Sequence, residues 1–190
     1  MEGETNETKS RPPCNGHIGI VGIGQGGNNV AQELEARGLQ VLQINSSMED
    51  LATLRNPSNV YHIKTGEGSA RNRDRIKSLA AADHEGILSA INAKIDGEII
   101  LVAFSAGGGT GSGLAPMLCQ LLLMQGRQVG AIVILPGSHE MAKAQMNAYS
   151  CLNRKYAHGK PKSGGTWPLF GAVRERIFYS NSYIHMEAYF

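Results

Sequence analysis

Five glycines fall within the seven residues Gly107-Gly108-Gly109-Thr110-Gly111-Ser112-Gly113, between an apolar run, Glu98 to Phe104, and a helical pattern. Each glycine at a helix start costs about 0.5–1 kcal/mol in backbone entropy relative to alanine. A chain keeps such a loop where another group has to approach the backbone closely. Amides left free at the helix start, with the hydroxyls of Thr110 and Ser112, would cradle a chain of phosphoryl groups. A flexible glycine linker is the plain alternative, and the strand and helix on either side argue against it. A second cluster, Gly22-Ile23-Gly24-Gln25-Gly26-Gly27, follows the apolar run His17 to Ile23 in the same way. Its Gly22-x-Gly24-x-x-Gly27 spacing matches the dinucleotide-binding fingerprint of a strand-to-helix turn.

The rest of the chain repeats this rhythm. Apolar runs at 39–45, 60–63 and 128–135 read as strands. One helix is expected from about Asn28, with Gly38 just past its end, a second in a short stretch holding Leu51 and Leu54 and capped by Ser46 or Ser47, and a third in one long stretch holding Ile76, Leu79, Ile87, Ile91 and Ile95. Gly86 is the predicted weak point of that long helix. Further helices are expected from Gly113 to Gln125, with Pro116 tolerated in the first turn, and from Glu140 to Tyr156. Strands alternating with helices predict an α/β fold, a mostly parallel sheet with helices on both faces. Ligands in such sheets bind beyond the carboxyl ends of the strands, where every glycine-rich loop here falls. Residues 1–16 read as a disordered polar tail, 17–156 as the domain carrying both loops, and 157–190 as an atypical segment. In that segment Trp167 to Phe170 begins a sixth strand, and Arg174 to Phe190 shows neither alternation nor a helical stripe.

Composition removes several functions. A net charge of +2 over 190 residues gives no basic surface for direct nucleic-acid binding, and 6% aromatics disfavour a base-stacking platform. Cys14, Cys119 and Cys151 form no C-x-x-C pair and the histidines no i,i+4 pair, so no protein-built metal site is predicted. The longest apolar run, Leu114 to Met124, is too short to cross a bilayer, and a reduced cytoplasm is the expected compartment. No Gly-Lys-Ser/Thr motif occurs; the single Gly-Lys, Gly159-Lys160, precedes a proline. Phosphate charge would therefore be met by amides, hydroxyls and a metal ion. Asn45 stands at the end of the second strand, where a nicotinamide or flavin enzyme would carry an acid for the ribose.

These motifs resemble a known family. GGGTGSG at 107–113 is similar to the signature loop of the tubulin/FtsZ GTPases, and Gly24-Gln25-Gly26-Gly27-Asn28-Asn29 to their first phosphate loop. Ile44-Asn45-Ser46-Ser47 with Asp50-Leu51, Tyr61-His62-Ile63, and Leu135-Pro136 with Glu140, Met146, Asn147 and Ala148 resemble most the plasmid- and phage-borne TubZ branch. The likeness covers about residues 17–153.

The resemblance implies a Rossmann-like GTPase domain that binds GTP and GDP, with Mg2+. Gly107, Gly108, Gly109, Thr110, Gly111, Ser112 and Gly113 would wrap the phosphates. Gly24, Gln25, Gly26 and Gly27 would hold the inner phosphates, with Asn28 or Asn29 near the base or sugar and Asn45 also in the nucleotide-binding set. Gly66, Glu67, Gly68 and Ser69 resemble the loop that senses the terminal phosphate and its magnesium. Pro136 and Glu140 would lie near the ribose, although Glu140 is read equally as an acid stabilising a helix start. Arg71, Arg73 and Arg75 are read either as contacts to phosphate or a neighbour or as a solvated basic helix face, the latter for at least two of them. The resemblance also implies head-to-tail filaments and DNA segregation through a DNA-binding adaptor. Hydrolysis in the family occurs between subunits and uses a later acidic loop, so no catalytic residue is assigned in this chain. Relatives are about twice as long, and the change of character near Gly171 is read as truncation, including by a frameshift. Two alternatives stand beside this reading: a filament-capping regulator, and a Rossmann oxidoreductase using the first loop alone.

Overall fold

The computed structural model describes residues 18–64 and 68–152, together with the backbone of 169–173 and 176–180. The tail at 1–16 and most of the 157–190 segment lie outside the described residues. Seven strands form one sheet in the order β3-β2-β1-β4-β5-β6-β7. They are β1 (Ile18–Ile23), β2 (Gln40–Asn45), β3 (Val60–His62), β4 (Ile99–Ser105), β5 (Gln128–Leu135), β6 (Leu169–Val173) and β7 (Arg176–Ser180). All neighbouring pairs are parallel except β6 and β7. The helices are α1 (Gly24–Glu35), α2 (Met48–Ala52), α3 (Arg73–Ala82), α4 (His84–Lys94), α5 (Thr110–Met124) and α6 (Ala142–Leu152). The predicted α/β architecture is therefore the observed one.

Strand alternation divides the core. Val21, Ile23, Ile100, Val102 and Phe104 join residues of α3, α4 and α5 in the larger apolar cluster. On the opposite face, Ile20 and Val41 pack with Ala31 and Leu34 of α1. The order β3-β2-β1-β4-β5-β6 reverses direction at β1, so chain connections leave β1 and β4 to opposite sides. That leaves a crevice between the carboxyl ends of these two strands.

Several boundaries differ from the sequence reading. Helix α1 starts at Gly24 and not near Asn28, because the first glycine cluster itself forms the opening turn after a left-handed Gly24 (φ 67°). The long helix predicted over 76–95 breaks at Asp83, which has left helical geometry (φ −114°, ψ 15°). Its buried carboxylate accepts hydrogen bonds from the Tyr61 hydroxyl (2.9 Å) and the Lys64 amide (3.0 Å). Burial, reinforced by the Asp83 carboxylate, pushes the Tyr61 phenol up to about 12. Gly86 does not weaken the helix at the break; it leaves room for the Tyr61 ring and hydroxyl. Helix α6 starts at Ala142, two residues past Glu140. Strand β7 lies in the stretch that showed no strand pattern, where antiparallel backbone pairing with β6 makes the ladder.

Pro116 is interior to α5, which begins at Thr110, and not in the first turn. Proline offers no N–H to the carbonyl four residues back, here Ser112. Arg73 supplies what is missing. Its guanidinium, on a residue only 9% exposed, donates to the Ser112 oxygen from Nη2 (3.0 Å) and Nε (3.3 Å). Of the three arginines expected on a basic helix face, Arg75 is exposed on α3, Arg73 is buried, and Arg71 is exposed but precedes the helix. Arg73→Met should lower unfolding free energy by about 2 kcal/mol, the cost of an unsatisfied buried carbonyl. In a Pro116→Ala background, whose new N–H can reach Ser112, that loss should shrink by about half or more. Urea denaturation of the four proteins in the cycle measures the difference.

Candidate functional site

Helices α1 and α5 begin at the crevice between β1 and β4. Neither has a side-chain cap on its first amides or an acidic residue in its first turn. Elsewhere the chain does supply caps: Ser47 accepts from the Asp50 amide at α2, and Asn72 from the Asp74 and Arg75 amides at α3. Helix starts leave amides without intrahelical partners, so two uncapped starts aimed at one crevice make it a place for negative charge.

The two glycine turns meet there. A methyl group on Gly24 would lie 3.3 Å from both the Gly111 nitrogen and the Thr110 Cβ. On Gly26 it would lie 3.1 Å from the Ser105 Cβ. The cleft that results has a volume of about 980 Å³, within the range of small-molecule sites. Gly24, Gln25, Gly26, Asn29, Asn45, Gly68, Ser69, Gly107, Gly108, Gly109, Thr110, Gly111 and Glu140 all line it.

Other sequence-assigned residues serve the walls. Gly27 packs against the Ala103 and Phe104 backbone, and Gly113 against the Arg73 carbonyl and Ile76. Asn28 is fully buried, donating to the Ile44 carbonyl at 3.5 Å. The buried Ser112 hydroxyl bonds back to the Gly108 carbonyl within the turn. Pro136 sits under Gly107, with its Cβ 3.3 Å from where a methyl on Gly107 would be. Gly66 and Glu67 lie outside the described residues.

The lining side chains are themselves held. Asn45 accepts from the Ser46 amide (2.8 Å) and donates to the Asp50 carboxylate (2.9 Å), fixing that acid at the cleft wall. Ser46 and Thr110 share a buried hydroxyl–hydroxyl bond of 3.0 Å, joining the end of β2 to the glycine loop. Glu140 turns its carboxylate onto the Gly137 amide (3.2 Å) and so braces its own loop. Arg37 and Arg71 face the cleft with Glu33, Asp50 and Glu140. Side-chain charge alone therefore does not neutralise a polyphosphate, and the amides carry that role. Among the described residues no three His, Cys, Asp or Glu side chains cluster to hold a metal. A hard cation would arrive with the phosphates and keep several waters; Asp50, held by Asn45, is one carboxylate on the cleft wall that could meet it.

Sequence reading left Glu33, Arg37, Asp50 and Ser105 out of the site. Gln25, Asn29 and Glu33 recur at four-residue spacing on α1, which was a readable stripe. Ser105 immediately precedes the glycine loop.

Fold and cleft define the class: a doubly wound α/β domain with a glycine-walled crevice at its switch point. A sequence model of the tubulin/FtsZ family, GTPase domain, matches residues 17–159. The chain belongs to the tubulin/FtsZ family. It is 31% identical over 136 residues to the tubulin-like protein TubZ of Clostridium botulinum C phage, an alignment covering 69% of this chain and 38% of TubZ. The crystal structure of Clostridium botulinum phage c-st TubZ superposes with a TM-score of 0.70 at 27% identity, covering 83% of this chain and 52% of that one. A GTPγS-bound protofilament of CetZ2 from Haloferax volcanii gives 0.64 at 27% identity, covering 72% and 45%. The chain thus spans well under half the length of the curated relatives it matches.

Proposed function

We propose that the cleft binds GTP and GDP with Mg2+, and that the chain acts as the nucleotide-binding part of a TubZ-like, filament-forming GTPase. The observation that carries this reading is the pair of uncapped helix starts opening on one glycine-walled crevice. Amides of 24–26 would take the inner phosphates and those of 107–111 would run along the chain of phosphates. Ser69 and Gly68 would meet its far end. Asp50, held by Asn45, would receive the cation through water. Asn29 and Glu140 would flank the sugar.

Head-to-tail association, of copies of this chain or with longer homologues, would put hydrolysis at the junction between subunits. The related CetZ2 is described as a GTPγS-bound protofilament, which supports such assembly. The proposal includes a role in plasmid or phage DNA segregation, in the cytoplasm and through a DNA-binding adaptor, for which the likeness to TubZ is the support. The near-neutral net charge of +2 favours an adaptor over direct nucleic-acid contact.

Equilibrium titration with fluorescent GTP, competed by GDP, ATP and NAD in the presence of magnesium, tests the reading. GTP and GDP should compete fully and NAD should not. Preferential displacement by NAD would instead indicate a dinucleotide enzyme and overturn the proposal.

A further inference from the structure

Residues 68–71 form one lip of the cleft, and Ala70 and Arg71 both adopt left-handed backbone conformations (φ 44° and 58°). Two consecutive non-glycine residues in this region are unfavourable and persist where the surroundings hold them. The lip presses on the glycine loop: a methyl on Gly109 would lie 2.7 Å from the Arg71 Cα.

One side chain holds both lips. Asn147, on α6 and 3% exposed, donates through its single amide nitrogen to the Arg71 carbonyl (3.2 Å) and the Gly107 carbonyl (3.3 Å). Neither carbonyl belongs to a helix or strand, so each needs a partner of this kind when buried. Residues 71 and 107 come from separate crossovers of the sheet and are joined here from a third element. The backbone at 70–71 also sets where the Arg71 side chain enters the cleft.

We propose that Asn147 is a positioning residue for this site. By bonding the Arg71 and Gly107 carbonyls it fixes the spacing between the two anion-facing lips and keeps the 70–71 backbone left-handed. The inference rests on the nucleotide reading above. Asn147 touches no ligand; it acts through Arg71 and the glycine loop.

The test measures fluorescent GTPγS affinity of the full chain as wild type, Asn147→Leu, and Asn147→Leu with Ala70→Gly, recording thermal melting alongside. Asn147→Leu, nearly equal in volume and without donors, should bind about tenfold more weakly while still melting cooperatively. Adding Ala70→Gly should recover at least about threefold, because glycine adopts positive φ without the penalty borne by alanine. A purely structural asparagine would give no such recovery from a residue it does not touch. Should Asn147→Leu not fold, Asn147→Ser, which leaves space for a water on the two carbonyls, carries the same comparison. Unchanged affinity in a folded Asn147 variant overturns the inference, as does a loss that Ala70→Gly leaves untouched. A wild-type chain that binds no GTPγS overturns the nucleotide reading itself, and this inference with it.

Discussion

Replacing Gly109 and Thr110 together by alanine should weaken GTP binding by about fiftyfold. Gly109 is helical in backbone (φ −80°, ψ −55°), so alanine costs nothing in conformation there. What it costs is space. The added methyl would meet the Ser69 side chain, 2.7 Å from its Cβ, and the Arg71 Cα at 2.7 Å. Only displacement of the 68–71 lip relieves that, and the lip is tied at Arg71 by Asn147. Opening the lips by a few tenths of an ångström lengthens every amide contact to an anion between them, at a cost of about 1.4 kcal/mol. Removing the Thr110 hydroxyl deletes its 3.0 Å bond to Ser46 and a donor at the cleft wall, worth about 1 kcal/mol more. Isothermal titration with GTP measures the loss. Affinity within about twofold of wild type would remove the loop from the ligand's path.

Gly27→Ala should cost the fold about 3 kcal/mol or more, a sizeable part of the stability of an ordinary domain. Its added methyl would meet the Ala103 carbonyl oxygen, the Ala103 carbonyl carbon at 2.8 Å and the Phe104 Cα at 3.1 Å. These are backbone atoms of β4, hydrogen-bonded on both sides to β1 and β5, so they do not yield as a side chain would. Helix α1 has to lift off the sheet, loosening its contacts through Ala31 and Leu34. In urea the midpoint should fall by about 1.5 M at an ordinary m-value near 2 kcal/mol/M. Gly38→Ala makes a useful contrast: nothing lies within 4 Å of its added methyl, and its cost comes from φ 85° alone, about 1 kcal/mol. Equal midpoints for the two variants would contradict the close packing of α1 on β4.

The sequence carried the fold class and the position of the cleft because both depend on local pattern. Alternating apolar runs and helical stripes imply a parallel sheet, and glycine clusters at strand ends mark where backbone is exposed to a ligand. It did not separate the glycines by task. Gly24 and Gly26 face the cleft while Gly27 faces β4, although all belong to one cluster. Helix limits were misread where tertiary contacts override local preference. Pro116 is tolerated inside α5 because Arg73, from a different helix, bonds the carbonyl it strands. The break at Asp83 follows from Tyr61 and Lys64 on the far side of a crossover. Asn147 is legible only as part of a family-like stretch; its bonding role is not, since its partners are 76 and 40 residues away.

The convergence of both glycine turns on one ligand can be read amide by amide. With the 24 glycines labelled with nitrogen-15, GTP titration should move the amides of Gly24, Gly26, Gly107, Gly108, Gly109 and Gly111 along one saturation curve. Gly38 and Gly126, exposed and with nothing within 4 Å of a methyl added at either, should stay still. If one cluster shifts while the other is silent, or the two saturate at different GTP concentrations, the turns do not share a ligand and the account fails.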